Sequence, residues 1–162
     1  MANGRAASLF HAEGRLRQEC FSLPALRALR AAVDAAIRTC WPSIRSPHLF
    51  IGLLEEADEP IAQWLERNQL QASQLRQTFL ELFDMSHELT PPQLQLHRSY
   101  FSEHLLQILE QAQQRAQQRG DALVTTADLL ATVLTSEPSV IAECLRREGY
   151  DVAPLRESVQ NL

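Results

Sequence analysis

Glycine is scarce in this chain, at five of 162 residues. No G-x-x-x-x-G-K-[ST], G-x-G-x-x-G or G-x-S-x-G run occurs. The backbone cradle that holds nucleotide phosphates is therefore missing, and ATP hydrolysis within the chain is excluded. Cysteine is equally sparse. Cys20, Cys40 and Cys144 are far apart, with no CxxC or CxH, so no tetrahedral zinc site is spelled out. They read as reduced thiols of a cytosolic protein. Long apolar runs are absent too: the longest, Leu49 to Leu54, falls far short of the roughly 18 residues of a membrane span. The opening residues carry no apolar stretch of the kind found in a secretory signal. Basic charge is in deficit, 15 Lys+Arg against 20 Asp+Glu for a net charge of −5. That argues against sequence-independent nucleic-acid binding, which needs a basic face to displace counterions from phosphates.

What is present is an ordinary apolar fraction, 45%, in a chain long enough to bury a core without disulfides or metals. It is also internally repetitive. Sliding the sequence by 80 residues lays 21–82 on 101–162 without a gap, with 15 of 62 pairs identical. Leu26/Leu106, Leu29/Leu109, Ala32/Ala112 and Ala36/Ala116 share one helical face, and Leu49/Leu129, Leu54/Leu134, Ile61/Ile141 and Leu65/Leu145 continue in the same register. The organisation expected is an N-terminal extension over 1–20, a repeat over 21–82, a linker over 83–100 with adjacent prolines Pro91 and Pro92, and a second repeat over 101–162.

Each repeat reads as four helices. The first opens on a hydroxyl N-cap, Ser22 or Ser102, and ends near Cys40-Trp41-Pro42 or at Arg119-Gly120. The second follows Ser46, with Pro47 at its first position, or Thr125-Thr126. The third covers Pro60 to about Asn68 and Ser139 to about Glu148, and the fourth covers 72–83 and 152–159. Ala12 to Cys20 are expected to add a turn or two of helix and residues 1–8 to be frayed; no strand is expected. The fold class is therefore all-α, a tandem repeat of two four-helix units.

Catalytic chemistry is thin. His87 and His97 flank the two prolines, but Pro91 stands where H-E-x-x-H needs its second ring, so no metal site is expected. His48, beside a helix start with no nucleophile at a readable spacing, is expected to pack or hydrogen-bond locally. Trp41 and Trp64 are read as core or interface packing.

Phe-Ser at a helix start, a hydroxyl residue 24 positions later, and Ser46-Pro47-His48-Leu49-Phe50-Ile51-Gly52-Leu53-Leu54 behind it form a pattern that closely resembles the Clp amino-terminal repeat domain. That domain is found ahead of the AAA+ motors of ClpA, ClpB and ClpC. Ala116 to Asp121, followed by Val124-Thr125-Thr126, is similar to the corresponding ClpB segment. The resemblance implies a pseudo-two-fold pair of repeats with no catalytic activity and no cofactor. Such a module binds unfolded substrate polypeptides or adaptor proteins and serves a Clp-type AAA+ ATPase, attached or separate. It is expected to be cytoplasmic and monomeric, with no nucleic-acid or membrane partner. A groove where the first helices meet would take the ligand. Phe21, Ser22, Leu26, Phe101, Ser102 and Leu105 are placed near it and Asp121 at its edge. ClpC-type domains that recognise phosphorylated arginine carry Thr-Glu-His in each repeat. Here Ser46-Pro47-His48 and Thr126-Ala127-Asp128 lack both glutamates, so that recognition is not expected. Asp128 occupies a position that is apolar in ClpB-like domains, where a charge should weaken purely hydrophobic capture. The last aligned pair, Leu82/Leu162, falls on the final residue. This leans towards an excised amino-terminal domain, with a stand-alone scaffold or regulator docking on a separate ATPase as the alternative.

Overall fold

The computed structural model describes residues 8–162. Of the end expected to be frayed, residues 1–7 lie outside the described residues. Eight α-helices follow in two sets of four. The first set is α1 (Leu23–Arg38), α2 (Ser46–Glu55), α3 (Glu59–Arg67) and α4 (Ala72–Leu82). The second is α5 (Glu103–Gln118), α6 (Thr126–Thr135), α7 (Val140–Arg147) and α8 (Val152–Val159). Isolated bridges are the only extended pairings among the described residues.

The caps obey the 80-residue register. Ser22 Oγ accepts from the Ala25 amide at 3.2 Å and Ser102 Oγ from the Leu105 amide at 3.1 Å, each starting the first helix of its repeat. Short 3₁₀ turns precede both, at Gln18–Cys20 and Arg98–Tyr100. The first and third helices each run out into a left-handed residue. These are Cys40 and Gln69 in the first repeat, and Gly120 and Gly149 at the matching positions in the second. One cap differs from expectation. The helix α2 begins a residue early, with Arg45 as N-cap and Ser46 inside the first turn, because the His48 ring accepts the Arg45 amide.

The N-terminal extension is not helical over Ala12–Arg17. Residues 9–17 turn back on themselves through a Phe10–Leu16 bridge and an Arg17 N to Leu9 O bond of 2.7 Å, with Gly14 at φ 106° in the bend. This segment joins the far end of the linker. The Leu16 amide donates to Leu96 O and the Arg98 amide to Gly14 O, and the Phe10 ring meets Phe101 edge-on at 5.8 Å. Leu9, Phe10, Leu16 and Leu94 are buried as a result. Helix signals in 12–20 lose to these tertiary contacts.

The two repeats are joined by an exchange of backbone. Phe21 bridges Val124 and Phe101 bridges Ile44, two pairs related by the 80-residue shift. Ser22 N donates to Val124 O and Val124 N to Cys20 O, both at 2.9 Å. Across the pseudo-two-fold, Ser102 N donates to Ile44 O at 2.9 Å and Ile44 N to Tyr100 O at 2.7 Å. The residues ahead of each first helix thus pair with the loop between the first two helices of the other repeat.

The core centres on α2 and α6, whose residues Ser46–Leu54 and Thr126–Leu134 are all buried. A helix covered on every side carries apolar residues all round, as these do. The third helix of the first repeat is stitched across the interface as well. Trp64 Nε1 donates to Leu155 O at 3.2 Å, and the Thr126 hydroxyl donates to the Asp58 carboxylate at 2.7 Å.

At the α1–α2 crossing, a Cβ added to Gly52 would lie 2.2 Å from Ala28 O and 2.9 Å from Ala32 N, both backbone atoms. Helix propensity alone makes Gly→Ala favourable by about 1 kcal/mol. Gly52→Ala is expected to reverse that sign and destabilise the fold by about 1–3 kcal/mol, since the helices must separate to admit the methyl. Urea unfolding of the two proteins checks it, and a stabilised variant would contradict the close crossing.

Candidate functional site

Two faces of the molecule are equivalent by the pseudo-two-fold, each built around the start of a second helix, and they carry different chemistry. On the first, the Arg45 amide donates to His48 Nδ1 at 2.9 Å. The ring proton therefore sits on Nε2, 3.3 Å from Thr39 Oγ1, and the threonine hydroxyl donates to Ala35 O at 2.7 Å. His48 is 1% exposed. Burial, with a smaller contribution from the Arg45 charge, holds its pKa down to about 4, so the ring is neutral.

On the second face the same two positions are Arg119 and Asp128. Asp128 closes the capping box: its Oδ2 accepts from the Thr125 amide at 2.9 Å, and its own amide donates to Thr125 Oγ1 at 3.3 Å. Arg119 grips both carboxylate oxygens and Arg115 Nε lies 3.4 Å from Oδ1. The hydrogen bond to Asp128 drives the Arg119 pKa upward, whereas burial lowers that of Arg115. The expectation that Asp128 puts a bare charge on an apolar binding surface is corrected. The carboxylate is fully buried and its oxygens are taken by a helix cap and two guanidinium groups.

A cleft of about 620 Å³ opens on the first face. Its wall is the outer end of an aromatic series that starts in the core. Phe50 meets Phe79 at 4.9 Å, Phe79 stacks on Phe83 at 6.1 Å, and Phe83 meets Trp41 at 6.2 Å. The Trp41 indole N–H donates to Phe83 O, and the Arg45 guanidinium lies over the indole at 5.1 Å. Pro47, Ser102, Glu103, His104 and Val140 also line it, so both repeats contribute. The second repeat has no such wall: Trp41, Phe50 and Phe79 correspond to Asp121, Leu130 and Val159.

Of the residues placed near a groove from sequence, Ser102 lines this cleft while capping α5. Ser22 caps α1 at the opposite face. Phe21, Leu26, Phe101 and Leu105 are buried, at 0–6% exposure; Phe21 and Phe101 lie in the seam between the repeats, where Phe101 is covered by Phe10. Asp121 is exposed in the α5–α6 loop, ion-paired to Arg119 and accepting the Leu123 amide, and it belongs to the second face. The residues missed are Trp41 as a surface wall, Phe83 and Val140. The signal available for Trp41 was its mismatch with Asp121 across an otherwise regular repeat. No group of three or more His, Cys, Asp or Glu side chains able to hold a metal occurs among the described residues.

The exchanged backbone and the doubled four-helix pattern define an all-α tandem-repeat domain with pseudo-two-fold symmetry. The profile of the Clp repeat (R) N-terminal domain matches residues 20–148 and again 100–162, and the chain belongs to that family. The N-terminal domain of the caseinolytic protease associated chaperone ClpD from Arabidopsis thaliana is similar over 90% of this chain and 96% of that one, with a TM-score of 0.70 at 16% identity. The Hsp104 N-terminal domain from Candida albicans covers 86% of this chain and 88% of its own, with a TM-score of 0.69 at 16% identity. The N-terminal domain of the ClpV1 ATPase from E. coli covers 86% and 83%, with a TM-score of 0.62 at 18% identity. At these identities the likeness is one of fold. No curated protein sequence matches the chain.

The buried imidazole makes stability depend on pH. The unfolded chain takes up the His48 proton near pH 6.5 and the folded chain only near pH 4. The stabilisation is complete above pH 6.5 and is lost as the pH falls through this window, amounting to about 3 kcal/mol at most. His48→Gln keeps a neutral acceptor for the Arg45 amide. It should lose about 2 kcal/mol less than the parent between pH 7 and pH 4.5, measured by urea unfolding at both. Equal losses would place the ring's proton uptake outside that range.

Proposed function

We propose that this domain is a non-catalytic module that captures polypeptide segments in the Trp41–Phe83–Val140 cleft and passes them to a Clp-type AAA+ ATPase ring. The observation that carries the reading is the aromatic wall. Only one of two equivalent faces has it, and there it leaves indole and phenyl surface open to solvent at a junction of both repeats. Concave apolar surface of this kind suits an unfolded substrate or an adaptor segment, because aromatic side chains bury large area at little entropic cost. Ser102 contributes a polar rim. Phe21 and Phe101 act indirectly, by holding the two repeats at the separation that opens the cleft, and Leu26 and Leu105 support them from the core. The reading requires no cofactor. It is consistent with the chain's membership of the Clp repeat N-terminal domain family.

The test is intrinsic fluorescence. Trp64 is fully buried, so a ligand that enters the cleft should perturb Trp41 emission, and a Trp41→Phe variant should lose the signal. Val140→Asp places a carboxylate in the first turn of α7, which the helix tolerates, and a charge in the middle of the cleft. It is expected to weaken binding of a chemically unfolded protein by about tenfold. Leu89→Asp, on an exposed linker residue, should not. If unfolded protein is ignored while a folded AAA+ ring is retained, the domain is a docking regulator instead.

A further inference from the structure

The cleft continues into a second depression of about 480 Å³ that shares Phe83 and Val140 with it and ends among Cys144, Arg146, Arg147 and Arg156. The charges along this path are uneven. Arg146 and Arg147 both bind Glu143, at 3.1 and 3.3 Å, so two guanidinium groups share one carboxylate. Arg156 is balanced by Glu137 at 2.8 Å. At the other end Arg45 is exposed. It donates to Ser43 Oγ at 3.0 Å and lies over Trp41, with no carboxylate within ion-pair distance among the described residues. Glu103 also lines the cleft but forms no ion pair with Arg45, so guanidinium groups left without a full ion-pair partner lie at both ends of an apolar strip, in a chain whose net charge is −5. The related face differs, for Trp41, Arg45 and Arg146 correspond there to Asp121, Thr125 and Glu66, while Arg147 keeps an arginine counterpart in Arg67.

Resting on the binding reading above, we infer that the preferred occupant is an extended, unstructured polypeptide segment in which an apolar side chain is flanked by acidic residues. The apolar side chain lies against Phe83 and Val140. An acidic residue on one side meets the Arg146–Arg147 pair, in competition with Glu143, and one on the other side meets Arg45. The guanidinium groups are exposed, so each contact is modest and screened by salt, and discrimination comes from their sum. A lysine-flanked segment would meet like charge at both ends.

Three short fluorescein-labelled peptides test this on the full chain by anisotropy. All share a Leu-Phe centre, flanked by glutamates, serines or lysines. The glutamate peptide should bind about tenfold tighter than the serine peptide and the lysine peptide should be weakest, with the spread narrowing at raised salt. Arg146→Gln/Arg147→Gln, at side chains 58% and 77% exposed, should remove most of the glutamate advantage and leave serine-peptide binding intact. Arg45→Gln should remove the remainder. If all three peptides bind equally and Val140→Asp still weakens them, the acidic preference is overturned and the binding function stands. If none binds, both fall.

Discussion

The architecture depends on an exchange of main-chain hydrogen bonds. The amides of Ser22 and Ser102, ahead of α1 and α5, and those of Ile44 and Val124, in the loops that lead into α2 and α6, find their backbone acceptors across the pseudo-two-fold. Backbone polar groups withdrawn from water must be paired, and here each repeat supplies what the other lacks, Phe21 against Val124 and Phe101 against Ile44. The consequences spread outward. The bridges set the rotation that brings α2 onto α6, and they bring Ser102 and Val140 of one repeat beside Trp41 and Pro47 of the other.

Much of this order could be read from the sequence because it rests on local physics. Helical spacing of Leu26, Leu29, Ala32 and Ala36, hydroxyl caps at Ser22 and Ser102, and glycines past Arg119 and Glu148 are each decided within a few residues. The 80-residue register multiplies their weight. What escaped depends on contacts far along the chain. Residues 9–17 take their shape from Leu96 and Arg98, and no local signal in Ala12–Cys20 records those partners. Phe21 and Leu105 were placed near a binding groove and are buried, since a sequence shows which face is apolar and not what covers it.

The face with the aromatic cleft was harder still, because it is made of a difference between repeats rather than a likeness. Thr39 and His48 form a neutral pair where the buried Asp128 and the exposed Arg119 form an ionic one. The ionic pair fills its face with charge that satisfies itself, drawing Arg115 in beside it. The neutral pair leaves its face free for Trp41, whose ring meets His48 edge-on at 5.7 Å. Asp128 looked like a surface charge only while its role as a cap was unseen.

Two units related by a two-fold axis, if they were separate identical molecules, would be bound to carry the same surface twice. Any substitution that opened an aromatic cleft on one would open it on both, and any buried ion pair would be duplicated. Joining the units through residues 83–100 removes that obligation. One half is free to keep a self-satisfied polar face while the other gives up such contacts for exposed aromatic surface. The domain thereby has a front and a back, and the direction from which a partner approaches becomes a property that evolution can select.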